Sequence, residues 1–487
     1  MDILIDKGNE DLQKHPGLLV LDKFCSYLPF SVFDTLSNKT ANPAWIPNSS
    51  IVKAAAFLQS FGMTDFNDIN EMNNDTLFTE IIGRQISPET LRQRMNFLAK
   101  EQDTEAYVDR IIVEFLKSVS FEETMIDGTP YICLDIDVTP FANPGVKKEG
   151  ISCTYKMVDG YAPIMAYLGR YALCFDLRKG SQHSENGAVE FMDRCFKMIK
   201  RIGIPMERIL VRVDSGHDAS DFLDICMKNK VRFIVKRNHR RAKYAHIVQN
   251  IRETETPIED EERKIFRTYY QLNHEMKPVN TKYRALNCVF QLVEQHLAAE
   301  NTKWLIPPEE YPYELHSYWT NLEVTGENGE IDESITAQTC VFLYRKHATS
   351  EQYHSELKTD MDMELLPSKY FATNKLFLQL SAFSFNMLRR IGDEAVRIDD
   401  RLQHHKHRRT ERIRLRTVID KICTMACRIT RHARRLVVKF GRKALFYDTF
   451  ARIYHQACYL SPPKNRGGHE AKNGCHRSSA PKKLQSL

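Results

Sequence analysis

The chain has 487 residues, of which 42% are hydrophobic and 27% charged, enough for roughly two to four domains around a substantial core. No run nears the ~18 consecutive apolar residues of a membrane span, and the first seventeen residues carry early acids in place of an apolar block, so the chain reads as a cytoplasmic protein without a secretory signal. The twelve cysteines form no C-x-x-C pair, which argues against a zinc knuckle or a disulfide framework and leaves most of them as core filler. Net charge is +6, but from Arg401 to Lys443 fifteen Lys or Arg face only Glu411 and Asp420. That surplus leaves about −7 for the rest of the chain, an asymmetry that suggests a polyanion partner.

Residues 1–120 read as a mostly helical region and a candidate DNA-binding unit. Helical periodicity covers Ser50 to Gly62, and Ser87-Pro88-Glu89-Thr90 opens a second helix with a serine cap and an early proline. Arg92, Arg94 and Lys100 on that helix suit either a solvated face or a DNA contact.

From Tyr131 the period changes to two, with Ile132, Leu134, Ile136 and Val138 alternating with Cys133, Asp135 and Asp137. Strands follow near 162–169 and 171–178, then a helix over 187–201 that stops before Gly203. A strand at Arg208–Val213, a helix near 219–229 and a strand at Val231–Val235 complete the run. Three strands, then helix, strand, helix, strand is the order of a ribonuclease-H-like α/β fold with a mixed sheet, here over 121–239 and 340–395. Residues 240–339 break the rhythm and read as a strand-containing insertion, with strand-like runs at Val289–Val293 and from Ile335. Cys340–Lys358 and Asn374–Ile391 look helical, 396–460 reads as a basic helical region, and 461–487 has the composition of a disordered tail.

Asp137 and Asp214 stand at the carboxyl ends of the first and fourth strands, where open sheets gather functional groups. Most aspartates in such places merely cap a turn, but two of them at neighbouring strand ends are more telling. Asp135 shares a face with Asp137 and is a rival for its role. Further on, Tyr344, His347, Glu351 and Lys358 are separated by 3, 4 and 7 residues and fall on one helix face. That stripe is too polar for a core seam, though a solvated charged face would also explain it. Glu356 is the rival acid here.

The segment Tyr344-x2-His347-x3-Glu351-x6-Lys358 resembles the signature Tyr-x2-Arg-x3-Glu-x6-Lys of bacterial insertion-sequence transposases with an Asp-Asp-Glu triad. Asp135-Ile-Asp-Val-Thr139, Gly160-Tyr-Ala-Pro163, His183-Ser-Glu-Asn-Gly187 and Val213-Asp-Ser-Gly216 follow that family's order over roughly 130–390. The resemblance implies Asp137, Asp214 and Glu351 as catalytic residues and metal ligands, holding two Mg²⁺ or Mn²⁺ ions, and Tyr344, His347 and Lys358 as contacts to DNA phosphates. His347 departs from the family's arginine, and a neutral imidazole lacks the bidentate grip of a guanidinium. Relatives with a large insertion between the second and third acids excise through hairpin ends and flip a base onto an aromatic ring. Trp319 and Trp304 are candidates for that stacking, against the plainer reading of both as core tryptophans.

The implied activity is metal-dependent DNA cleavage and strand transfer by a homodimer assembled on double-stranded DNA, namely the element's terminal inverted repeats and its target, in the bacterial cytoplasm near the nucleoid and away from membrane. Two alternatives stand beside it. One is a catalytically decayed transposase that only binds DNA, for which His347 is the support, and the other is a metal-dependent nuclease of the same fold. His404, His405 and His407 lie in the basic segment without a cysteine partner, and a solvated basic helix is the better reading of them.

Overall fold

The computed structural model describes residues 3–6, 10–36, 46–239, 244–259, 266–276, 286–295, 312–405, 408–433 and 435–459. The tail at 461–487 and Trp304 lie outside the described residues.

The amino-terminal part is helical, as its periodicity suggests. Helix α1 (Gly17–Ser26), α2 (Asn48–Ser60), α3 (Pro88–Leu98) and α4 (Thr104–Leu116) bury their apolar faces in one core. The serine cap of α3 is real: Ser87 Oγ accepts from Thr90 N at 3.1 Å, with Pro88 at the first position.

The sheet is built from β1 (Thr129–Val138), β5 (Ile164–Leu168), β6 (Tyr171–Asp176), β7 (Ile209–Val213) and β8 (Arg232–Lys236), with β2 (Phe141–Ala142), β3 (Ser152–Cys153) and β4 (Asp159–Tyr161) forming a separate small sheet. Helix α5 (Ala188–Ile202) ends at Gly203, whose φ of 97° is cheap only for glycine, and α6 (Ser220–Lys228) links β7 to β8. β1, β7 and β8 run parallel, while β5 and β6 continue antiparallel from β1. Most of their residues are buried because both faces of this sheet are covered.

The insertion does not stand apart. Its strands β9 (Phe266–Met276), β10 (Leu286–Gln295) and β11 (Tyr313–Thr320) extend the same sheet, since β11 pairs antiparallel with β8 through Val235 and Trp319. The run from Ile335, expected as a strand, is instead part of α7 (Glu333–Arg345), capped by Asp332 on Ile335 N at 2.8 Å. A short 3₁₀ turn, α8 (Thr349–Ser355) and a π-helical turn at Glu356–Asp360 follow. α9 (Phe371–Ile398) then crosses the molecule between the sheet and the amino-terminal helices. Asn386 of α9 bonds both the N–H and the carbonyl of Ala172 at 2.7 Å, so the outer strand β6 has polar groups of its edge covered.

The basic segment corrects the expectation of a helix. Residues Cys427–His432 (β12) and Arg435–Phe440 (β13) form a hairpin, followed by α10 (Tyr447–Cys458). Alternation explains it. Ile429, Val438 and Phe440 pack on the core, whereas Arg428, His432, Arg435 and Lys439 share the other, exposed face.

Candidate active site

β1 and β7 pair in parallel with Ile136 opposite Val213 as their last partners. One residue further along each strand stand Asp137 and Asp214, so two carboxylates leave neighbouring strands side by side, ~5 Å being the spacing between strands. Asp137 Oδ1 accepts from Val138 N at 2.7 Å, and its Oδ2 lies 3.5 Å from His354 Nδ1 on α8. Asp214 Oδ1 accepts from Gly216 N at 3.1 Å and meets His217 Nδ1 at 2.9 Å. A β-carbon at Gly216 would stand only 3.0 Å from Ser184 Oγ and 3.1 Å from Asp214 Oδ1, so glycine there keeps the carboxylate's surroundings open.

The two acids titrate apart. Burial, reinforced by the charge of Asp214, pushes the Asp137 carboxyl up to about 6. Burial acts on Asp214 too, but the hydrogen bond and charge of His217 outweigh it and hold Asp214 below its ordinary value. His354 is pushed down to about 3 by burial and the nearby positive charges of Lys358 and His347, so it faces Asp137 as a neutral ring near pH 7.

Glu351 sits in the first turn of α8 with its side chain exposed, one turn before His354. Its charge, like those of Asp137 and Asp214, acts on the phenol of Tyr155, which burial and these three acids push up to about 12. Among the described residues, no three His, Cys, Asp or Glu side chains already stand together as a metal-holding group.

The rival acids are spoken for. Asp135 is buried, receives a bidentate pair of bonds from Arg212 at 2.8 and 2.7 Å and a third from His347 Nδ1 at 2.8 Å. Burial opposes its charge, yet Arg212 and His347 hold its carboxyl below the ordinary value. Glu356, likewise buried, is gripped by Arg389 and Arg412.

The signature residues surround the acids in different ways. His347, expected at a DNA phosphate, is buried against Asp135, whose charge raises its basicity despite burial. Tyr344 is half-buried, its ring 4.8 Å from that of Tyr318 and 5.6 Å from that of His347. Burial and the charge of Asp214 raise its phenol, which therefore remains a donor. Lys358 Nζ donates to the carbonyl of Pro140, just past β1, and lies over the Phe141 ring. Trp319 follows the plainer reading of a core tryptophan over that of a base platform: it is 2% exposed, donates its indole N–H to Asp218 at 2.9 Å and carries Arg237 over its ring.

Three neighbours of the acids, His217, His354 and Tyr155, are missed by the sequence reading. His217 follows Asp214 by three residues and His354 follows Glu351 by three, a helical offset that could have flagged both. Tyr155 carries no local signal, because only the fold brings its hairpin to the acids. Beside Asp214 lies a cavity of about 430 Å³, lined in part by Val138, Tyr155, His183, Ser184, Gly216 and Asn238.

Residues 36–460 match the sequence family described as Transposase DDE domain group 1. No curated protein matches this chain. Among solved structures, the chain is similar to one described as the cryo-EM structure of piggyBac transposase synaptic complex with hairpin DNA, at 11% identity over 94% of this chain and 89% of that one. With a TM-score of 0.37 that likeness carries no structural argument. The family match spans most of the chain, and the protein belongs to the DDE-domain transposases of group 1.

Proposed function

We propose that the protein cuts and rejoins the DNA of an insertion sequence at a site formed by Asp137, Asp214 and Glu351. The observation that supports this most is the parallel register, which sets Asp137 beside Asp214 at the carboxyl ends of adjacent strands. A ribonuclease-H-like reading of the sheet agrees with it, since β6, β5, β1, β7 and β8 are consecutive and in the order that fold requires.

The donor set fits divalent metal. Two close carboxylates, one with its acidity suppressed by burial and by the charge of the other, are stabilised by a cation between them, and oxygen ligands suit Mg²⁺ or Mn²⁺. Asp137, Asp214 and the exposed Glu351 would hold two ions, which supply charge stabilisation to both the attacking and the leaving oxygen at phosphorus.

The chain's own groups do the positioning. His217 holds Asp214 in one orientation through Oδ1, leaving Oδ2 available. Arg212, Asp135 and His347 lock β1 to β7 and to the turn before α8, which fixes where Glu351 emerges. Tyr344 donates to a DNA phosphate oxygen, and Lys358 leaves the Pro140 carbonyl to do the same as a point charge. Water cleaves the strand at the element's end, and the 3′-hydroxyl so freed attacks the target phosphate, with no covalent protein intermediate. The exposed face of β12 and β13 binds backbone phosphates without reading sequence. Two copies on paired terminal repeats form the working complex.

The decayed-enzyme reading rests on His347. Its bond to Asp135 gives the imidazole a structural task inside the protein, a reason for histidine here other than decay. Incubating the protein with Mg²⁺, a plasmid carrying the element and a target plasmid tests the proposal. Strand-transfer products are expected; cleavage without joining would point to a nuclease, and binding alone to a decayed enzyme.

A further inference from the structure

Helix α8 carries a nitrogen donor as well as an acid. Glu351-Gln-Tyr-His354 sets a carboxylate and an imidazole three residues apart, and side chains at that offset are neighbours on one helix face. Glu-x-x-His at this spacing is how helices of four-helix metal bundles present two ligands from one face. The spacing alone is a weak signal, and the fold supplies the rest.

The His354 imidazole is 4% exposed and packs against the Tyr167 ring of β5, with ring centres 5.5 Å apart. β5 is the direct neighbour of β1, and there Tyr167 stands opposite Asp135. Held in this way, the ring has Nδ1 3.5 Å from Oδ2 of Asp137. A hydrogen bond would draw the two atoms to roughly 2.7–3.2 Å. Two donors that each lie ~2.1 Å from one ion stand about 3.0 Å apart in an octahedral site and about 3.4 Å apart in a tetrahedral one. The pair is spaced like two ligands of one ion.

The second ring nitrogen agrees. Nε2 of His354 is buried without a hydrogen-bond partner, so the protein holds the imidazole firmly at neither nitrogen. Burying a polar ring on those terms is unfavourable, and phenylalanine would pack on Tyr167 without the penalty. A cation at Nδ1 offsets it, which only histidine allows. His217 makes the contrast. Its Nε2 is likewise buried and unpartnered, but its Nδ1 is taken up by a 2.9 Å bond to Asp214.

We propose that His354 is a nitrogen ligand, through Nδ1, to a divalent cation that it shares with Asp137 and Glu351. The inference rests on the reading of Asp137, Asp214 and Glu351 as the metal-holding site, and it adds a donor of a different kind. Carboxylates alone suit Mg²⁺, whereas an imidazole among them biases the site toward transition-metal ions.

The test uses the full chain on an uncleavable duplex with Mn²⁺ as the probe, read by electron spin-echo envelope modulation, which detects nitrogen bonded to the ion. The wild type should show imidazole nitrogen coupling, and histidine labelled with the heavy nitrogen isotope should change its frequencies. His354→Phe, which keeps a ring against Tyr167, should lose the coupling and bind Mn²⁺ about tenfold more weakly or worse. A wild type that binds Mn²⁺ without nitrogen coupling overturns the proposal, and that result needs no variant to fold. Coupling that persists undiminished in His354→Phe overturns it as well. A merely structural histidine would leave no nitrogen signal on the ion, and a metal-free thermal melt checks that His354→Phe is folded. The acid reading fails separately. Mn²⁺ held equally well by Asp137→Ala and Asp214→Ala would sink that reading, whereas Mn²⁺ that needs both acids but shows no nitrogen coupling sinks the His354 assignment alone.

Discussion

Asp135 and Asp137 stand two residues apart on one face of one strand, yet they live in opposite electrostatic worlds. Asp135 faces the Arg212 guanidinium and the His347 imidazole in the interior, which hold its carboxyl below the ordinary value. Asp137 stands at the strand end beside a second carboxylate and is made hard to ionise. The same contrast separates Glu356, clamped by two arginines, from Glu351, exposed five residues earlier. Asp135 and Glu356, which the protein neutralises for itself, tie the fold together, whereas Asp137 is left short of positive charge, as the proposed cation site requires.

That contrast can be broken at the clamped end. Arg389→Ala leaves the buried Glu356 with Arg412 alone and should cost about 3–5 kcal/mol of stability, read by urea denaturation. Glu351→Ala should leave the urea midpoint nearly unchanged while abolishing cleavage. A large stability loss from Glu351→Ala would put it in the same class as Glu356.

The open end predicts a pH effect of the opposite sign to an ordinary ion pair. Because the folded Asp137 carboxyl is raised to about 6, it favours the folded state at low pH, and that contribution is lost as pH rises from the ordinary value of 3.8 through 6. Metal-free protein should therefore lose up to about 3 kcal/mol from this group on going to neutral pH. Asp214→Asn should lessen the trend in thermal melts while burial keeps part of it, and added Mg²⁺ should reverse it. Cleavage should rise over the same interval as Asp137 becomes a carboxylate.

The smallest effects belong to the basic hairpin. Arg428→Ala or Lys439→Ala should change stability by less than about 0.5 kcal/mol, yet each should lower the slope of log affinity against log salt for random duplex DNA by about one. An unchanged slope would show that this face does not meet phosphate.

The strand and helix order from Thr129 to Lys236 is legible in the sequence because period-two and helical spacing are local signals, and Gly203 marks its own helix end. Asp137 and Asp214 can be picked out for the same reason. What escapes depends on contacts between distant residues. Whether β11 joins β8 turns on pairing between Trp319 and Val235 across a long insertion, which no window of sequence contains. The hairpin of β12 and β13 reads as helix because its arginines mask the alternation of Ile429, Val438 and Phe440. Trp319 illustrates the limit from another side, since a tryptophan suits a base platform or a core equally well until its exposure is known. His347 departs from the family arginine in sequence, but only the fold shows that Asp135 receives it.

Metal binding probes the three acids most directly. Mn²⁺ titrated into the protein on an uncleavable DNA duplex, followed by electron paramagnetic resonance, should give two bound ions for the wild type and loss of tight binding in Asp137→Ala, Asp214→Ala and Glu351→Ala. Undiminished binding of both ions in any of the three variants would contradict the assignment of that residue.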